Sequence, residues 1–146
     1  MSKKSVELVA VRSRDLRKPP TASSWLPPEH GGHGDPRYPS PTGRRAFWSF
    51  VLDMIVHLGL AFGVAVGVAH GKFTDGWLIA GVTLAGFVGF SIVDRIIVQW
   101  ALQATVGKLI TGLRLIRKDN GGRAPLWVYV RDWLLRTLGL VAFLSS

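Results

Sequence analysis

Four polar residues that could carry chemistry recur at four-residue intervals near the start of the first long apolar segment: Arg45, Ser49, Asp53 and His57. Residues four apart lie on one face of an α-helix, so the spacing predicts a single polar stripe. A carboxylate and an imidazole in an apolar helix can relay protons or a cation, with Asp53 changing charge and His57 passing protons. The stripe is therefore the first candidate for a functional site.

The same stripe also suits a structural role. A carboxylate in an apolar helix is costly unless it is paired, protonated or hydrated. Asp53 can pair with a cation from another helix and thereby fix the packing, and the candidate partners are Arg95, Arg131 and Arg136. For Asp53 both hypotheses remain open, whereas for His57 the structural one is favoured.

Further polar residues in the apolar segments are read as architectural. Asp94 lies at the end of the second apolar segment, and a polar face steps away from it at four-residue intervals through Arg95, Gln99 and Gln103, which predicts an interfacial surface and not a pathway. Asp132 and Arg136 are four apart and predict an ion pair along one helix.

The sequence contains no complete motif of an enzyme active site, a metal site or a cofactor site. The absence of cysteine excludes disulfides, thiolate nucleophiles and Cys-ligated metals. Gly107 and Lys108 lack the first glycine of a phosphate-binding loop, and the pair His30 and His33 is too small a ligand set for a metal. We therefore predict a non-enzymatic chain with no cofactor and no metal site.

The elements that position the stripe are predicted membrane helices. Residues 46–69 contain only Asp53 and His57 as ionisable groups. At about 1.5 Å per residue, a helix of this length crosses the ~30 Å hydrocarbon layer with some tilt. A short polar loop at 70–76 leads to a second apolar helix over 77–103, so the two predict a transmembrane hairpin.

Small residues recur at a four-residue period in both predicted helices. They are Gly59, Gly63 and Gly67 in the first helix and Gly81, Ala85 and Gly89 in the second. Small residues one turn apart let two membrane helices approach closely. We expect these residues to pack the hairpin, and they also offer faces for an oligomer.

The segment after the hairpin predicts a strand pair and a third helix. Alternation at Leu113, Leu115 and Arg117 ends at the turn signal 119–122, which predicts a short cytoplasmic β-hairpin. Residues 126–144 predict a C-terminal helix that spans only if the charges in its first half snorkel, pair or face inward. The predicted fold is an all-α membrane protein: a two-helix hairpin, a third C-terminal helix, and this β-hairpin between helices two and three.

Residues 1–45 differ in composition from the membrane domain predicted over 46–146. They hold seven of the eight prolines and half of the 18 Lys and Arg, which predicts a basic tail that is largely disordered alone. Residues 6–11 could form a strand when bound, but a disordered terminus is the favoured interpretation. The basic residues predict a cytoplasmic N-terminus facing anionic lipids, with nucleic acid disfavoured as a partner.

Four sequence stretches together resemble the RDD family of small bacterial integral membrane proteins. They are GRRAFWSFVLD, QATVGKLITGLRLI, KDNGGRAPLW and VRDWLLR, and the resemblance covers about residues 43–140. By this resemblance the naming arginine falls on Arg44 or Arg45, of which the helical spacing favours Arg45. The two aspartates fall on Asp53 and Asp119. The resemblance implies a multi-pass protein of the bacterial plasma membrane.

Two functions are consistent with these observations. The favoured one is an accessory or assembly subunit of a larger membrane complex, with the tail docking along a partner. The alternative is an oligomeric transporter that couples cation and proton movement through Asp53, which the family resemblance also implies. A homo-oligomer or a larger complex is expected in either case.

Overall fold

The computed structural model describes residues 5–18, 24–69 and 75–146. Its elements in chain order are β1 (Leu8–Arg12), α1 (Ser13–Leu16), α2 (Gly43–Val68), α3 (Gly76–Ile92), a π-helical segment (Val93–Val98), α4 (Gln99–Leu102), α5 (Val106–Thr111), β2 (Leu113–Arg117) and α6 (Leu126–Leu144). The mostly helical architecture with a small two-stranded sheet follows the sequence prediction in outline.

Two helices are long and apolar enough to cross a membrane. They cover Gly43–Val68 and Gly76–Leu102, close to the predicted bounds of 46–69 and 77–103. The second begins where the Asp75 side chain accepts hydrogen bonds from the backbone N–H groups of Trp77 and Leu78, which caps its first turn. Residues 70–74 of the predicted loop lie outside the described residues.

Helices α2 and α3 pack through alanines and not through the predicted glycines. Ala61 and Ala65 are fully buried, and a Cβ at Gly86 would lie 3.3 Å from the Cα of Ala61. Among the described residues, nothing beyond the local helix lies within 4 Å of a Cβ built at the other helix glycines: Gly59, Gly63, Gly67, Gly81 and Gly89. Ala85 is also exposed.

The predicted glycine contact within the hairpin is therefore wrong, and helix geometry explains the error. The buried face of α2 continues the Ser49 and Asp53 stripe through Ala61 and Ala65. Gly63 is two residues beyond Ala61, which at 3.6 residues per turn rotates it by about 200° to the other side of the helix. Contacts of the glycines in an oligomer remain a prediction.

The small sheet joins the N-terminal segment to the region after α5. β1 and β2 are antiparallel, with Ala10 opposite Leu115. The predicted β-hairpin across the 119–122 turn is wrong, because β1 supplies the partner of β2. The disordered interpretation of residues 6–11 is likewise wrong for residues 8–11, because these residues pair with β2, which gives every second one backbone hydrogen bonds, and Val11 is buried.

Helix α6 occupies the predicted bounds 126–144 and packs its first half on the sheet. A small core forms from Leu115, Ala124, Val128 and Tyr129, with Val6, Leu8 and Ala10 packed against it. The predicted ion pair between Arg136 and Asp132 is present, with Nε and Oδ2 2.9 Å apart. The last turns of α6 are apolar and exposed, with Phe143 and Leu144 about three-quarters accessible.

The segment before α2 is held by two buried aspartates. Asp15 accepts hydrogen bonds from the backbone N–H and the hydroxyl of Ser40. Asp35 accepts from the backbone N–H of Gly31 and from Arg37. The N-terminal segment therefore lies on the rest of the chain, while the domain boundary at 45 and the disorder of the isolated tail remain predictions.

Candidate functional site

The predicted stripe on α2 forms the buried face of that helix. Ser49, Asp53 and His57 are 3%, 2% and 1% exposed, whereas Arg45 lies at the exposed start of α2. The four-residue spacing turns the three buried side chains toward the rest of the chain, where α2 packs against α3 and the short helix α5. The stripe is therefore internal from Ser49 to His57, with Arg45 at its exposed end.

Asp53 binds the first turn of α5. Its Oδ1 accepts a hydrogen bond from the backbone N–H of Gly107, and its Oδ2 accepts one from the hydroxyl of Thr105, both at 2.7 Å. Thr105 is the N-cap of α5, whose first N–H groups have no partner within the helix. A buried carboxylate satisfies these donors and is itself stabilised by them.

Asp94 binds the same turn from the second long apolar helix. Its Oδ1 accepts from the backbone N–H of Val106 at 2.9 Å, and its Oδ2 lies 3.1 Å from Nε2 of His57. Asp94 is only 5% exposed, so the predicted interfacial face is wrong at this residue. It lies in the π-helical segment, whose wider turn changes which side chains face inward.

Arg45 binds the opposite end of α5. Its Nη1 donates to the carbonyl oxygen of Thr111 at 2.6 Å. Thr111 is the last residue of α5, and Gly112 ends the helix with a positive φ of 72°. A cation at these last carbonyl groups has favourable electrostatics, as the carboxylates have at the other end. We call the set Arg45, Asp53 and Asp94 the α5 clamp.

The clamp requires a glycine at position 107. A Cβ at Gly107 would lie 2.1 Å from the carbonyl oxygen of Ser49 and 2.8 Å from Oδ1 of Asp53. Such distances are far inside van der Waals contact, so only glycine lets α5 approach α2 this closely. Ser49 takes part through its backbone, while its hydroxyl donates to the carbonyl oxygen of Ala46.

His57 completes the buried polar cluster. Its ring stacks edge-on to Phe87, with 6.0 Å between the ring centroids. Its Nδ1 is buried and has no hydrogen-bond partner among the described residues. One ring nitrogen thus faces Asp94, and the other meets no hydrogen-bonding group in the part of the chain that the structure describes.

The predicted arginine partners of Asp53 do not hydrogen-bond to it within the part of the chain that the structure describes. Arg131 donates to the carbonyl oxygen of Val6, and Arg136 pairs with Asp132. The Nε of Arg95 is buried and has no hydrogen-bond partner among the described residues. Asp53 is therefore satisfied by a backbone N–H and a hydroxyl instead of a guanidinium.

Asp119 lies apart from the clamp, in the exposed turn after β2. It pairs with Arg117, with Nη2 and Oδ2 2.5 Å apart, and half of its side chain is accessible. The hydrogen bond from Arg117 lowers the pKa of Asp119 below its ordinary value. The two aspartates implied by the resemblance thus have different surroundings, one buried in the clamp and one in a turn.

Sequence reasoning missed Thr105, Gly107 and Asp94 as members of the site. Thr105 before a short helical segment is an N-cap signal. Gly107 two residues later is a signal for close backbone approach. Neither signal identifies the carboxylate that would be bound, because Asp53 is more than 50 residues away in sequence.

Comparison with known proteins confirms the family resemblance. The model of the RDD family matches residues 38–146, which include the whole clamp. No curated protein and no solved structure matches the chain.

Proposed function

This chain belongs to the RDD family, and we propose that it is a non-enzymatic, multi-pass subunit that supports or assembles a larger membrane complex. The positive charge of the N-terminal segment supports a cytoplasmic N-terminus in a bacterial plasma membrane. In this role the chain keeps a fixed fold and offers the outward faces of its helices to partner proteins.

The hydrogen bonds that Asp53 accepts carry this proposal. Both of its oxygens accept short hydrogen bonds from Thr105 and Gly107 within the single chain. A carboxylate held this way has little need of an ion, because its charge is already stabilised by fixed donors. Asp53 then serves to lock α5 against α2.

The outward faces of the membrane helices support association with other helices. The glycines of α2 are exposed in the single chain, and the second half of α6 is apolar and unpacked. Inside a membrane no hydrophobic force favours contact between helices, so association depends on close packing. Small-residue faces allow that packing. A partner helix along Gly63 therefore fits the proposal.

Native mass spectrometry of the tagged full-length protein, released from its own membranes in gentle detergent, tests the proposal. We expect the spectra to show this chain bound to one other membrane protein at a fixed stoichiometry. Gly63→Leu, on the small-residue face, should lower its recovery several-fold, whereas Val64→Leu, exposed on the adjacent face, should not. Masses built only from multiples of the 16.0 kDa chain would contradict a heteromeric role.

A second candidate function is cation and proton transport by an oligomer. The buried pair of His57 and Asp94 favours it, because Nδ1 of His57 has no hydrogen-bond partner among the described residues and an imidazole beside a carboxylate is a group that can relay protons. Three helices enclose no pathway alone, so this function requires several copies.

Ion flux in liposomes driven by a pH gradient distinguishes the two candidates. His57→Gln keeps a side-chain N–H that can reach Asp94 but does not titrate, and Asp53→Asn keeps hydrogen-bonding capacity without charge. Transport predicts flux that both variants stop and that Asp119→Asn leaves unchanged. An oligomer that is folded and moves no ion would exclude transport.

A further inference from the structure

A cavity of about 220 Å³ lies beneath β1, between the π-helical segment, α5 and α6. Its wall is rich in positive charge, which comes from Arg95, Lys108 and Arg136. One carboxylate, that of Asp132, also lines it, and this carboxylate is paired with Arg136. The pair balances internally, so no carboxylate of the cavity wall is left to pair with Arg95 or Lys108.

Neither Arg95 nor Lys108 takes part in an ion pair within the described part of the chain. The Nε of Arg95 is buried without a hydrogen-bond partner there, and Nζ of Lys108 lies 3.4 Å from the neutral hydroxyl of Thr105. Burial lowers the pKa of Lys108, and the neighbouring Arg95 and Arg136 lower it further against the opposing effect of Asp53 and Asp94. An anion bound in the cavity would offset the free-energy cost of burying these positive charges without an ion pair.

A neutral donor also belongs to the cavity wall. Tyr129 is 1% exposed, lines the cavity, and has a buried hydroxyl without a hydrogen-bond partner among the described residues. A buried hydroxyl left unpaired is costly, so its presence calls for an acceptor. Two cationic residues and one tyrosine thus line a cavity whose carboxylate is already paired with Arg136.

We propose that this cavity binds an anion of the phosphate class, with Arg95 and Lys108 supplying charge and Tyr129 supplying a neutral hydrogen bond. A phosphate group has several acceptor oxygens in different directions, which suits a planar guanidinium, an ammonium and a hydroxyl together. The group can belong to a soluble phosphate or to an anionic lipid headgroup, and the shared chemistry is the same. The site goes beyond the proposed function and is compatible with either candidate.

The cavity roof links this site to the N-terminal segment. Leu8 and Ala10 of β1 line the cavity, so a bound anion would be covered by the strand. Because a ligand stabilises the state that binds it, occupancy should hold β1 in place more firmly. The site would then couple the presence of phosphate to the docking of the N-terminal segment.

Calorimetric titration of the purified full chain, in a phosphate-free neutral detergent at constant ionic strength, tests the proposal with two probes. One is inorganic phosphate and the other is short-chain phosphatidylglycerol. Binding of the first indicates a soluble phosphate, and binding of the second alone indicates a lipid headgroup. Either result supports the site only if the cavity variants lose it.

The key variants are Lys108→Met and Tyr129→Phe, with Arg114→Gln as a basic control that does not line the cavity. Each cavity variant should weaken binding by about tenfold or more, as expected for losing one hydrogen bond to a charged group. Tyr129→Phe should also leave the anion-free melting temperature unchanged or raised, because it removes an unpaired hydroxyl. Lack of binding of both probes by the wild type, or binding by both cavity variants equal to the control, would overturn the proposal.

Discussion

Asp53 and Arg45 hold opposite ends of one short helix, α5. Asp53 accepts from the N–H of Gly107 in its first turn, and Arg45 donates to the carbonyl oxygen of Thr111 at its end. The two residues are eight apart on α2, or about 12 Å along the axis. A helix of six residues is too short to be stable alone, so this clamp is what positions it.

The clamp predicts an order of stability among variants of Asp53. Asp53→Ala leaves the buried N–H of Gly107 unpaired and should lower the free energy of unfolding by about 1–3 kcal/mol. Asp53→Asn should cost less, because its amide can still accept from Gly107 while the Thr105 hydroxyl turns to accept. Thermal unfolding in detergent measures both.

Asp119→Ala is the matched control for Asp53→Ala. Its ion pair with Arg117 is half exposed, so its loss should cost no more than about 1 kcal/mol. Equal destabilisation by Asp53→Ala and Asp119→Ala would show that the contacts of Asp53 do not stabilise the fold.

Gly107→Ala should be among the most damaging single substitutions in the chain. The new Cβ would lie 2.1 Å from the Ser49 carbonyl oxygen. Neither atom can move aside without moving the backbone to which it is attached. We expect a loss of about 3 kcal/mol or more, at the upper end for an overpacked site. Gly81→Ala is the control, because its Cβ meets nothing within 4 Å and alanine favours a helix. If both variants unfold at the same temperature, α5 does not approach α2 in this way.

The periodicity of α2 predicted the buried stripe well, because Ser49, Asp53 and His57 repeat at the helical period in an otherwise apolar segment. It could not predict the partners of Asp53. The donors on Thr105 and Gly107 lie more than 50 residues away, and only the tertiary fold brings them to the carboxylate.

The two errors on helix faces have local physical causes. Gly59 and Gly63 have the spacing of a packing motif, but the polar stripe already determines which face of α2 is buried. Asp94 lies in a π-helical segment, and α-helical spacing does not locate a side chain there. The pairing of β1 with β2 was missed because the partners are about 100 residues apart and short-range turn signals favoured a hairpin.

Asp35 predicts a pH dependence for the segment before α2. Burial raises its pKa, but hydrogen bonds from the Arg37 side chain and from the N–H groups of Arg37 and Gly31 outweigh burial and hold the pKa below 3.8. A depressed carboxyl pKa contributes stability that is present above the unfolded value of 3.8 and is lost as the pH falls through the folded value.

Limited proteolysis of the segment at a series of pH values checks this dependence. Asp35→Asn should be cleaved faster than the wild type above pH 3.8, and the difference should shrink as the pH falls below that value. A difference that is the same at all pH values would mean that the charge of Asp35 does not hold the segment.

The register of the sheet predicts which backbone N–H groups of β1 donate hydrogen bonds to β2. Ser13 donates to the carbonyl oxygen of Gly112, and Lys118 donates to that of Glu7. Because hydrogen-bonded pairs alternate in an antiparallel ladder, Val9 and Val11 exchange hydrogen bonds with β2, whereas Ala10 does not.

Val9→Pro should therefore release the N-terminal segment more than Ala10→Pro. The first removes a donor that bonds to β2, and the second removes an N–H that points away from it. Hydrogen exchange followed by mass spectrometry should show faster exchange in both β1 and β2 for Val9→Pro, while the amides of α2 and α3 remain protected. Equal exchange in the two proline variants would mean that the strands pair in a different register, because a shift of one residue exchanges the roles of Val9 and Ala10.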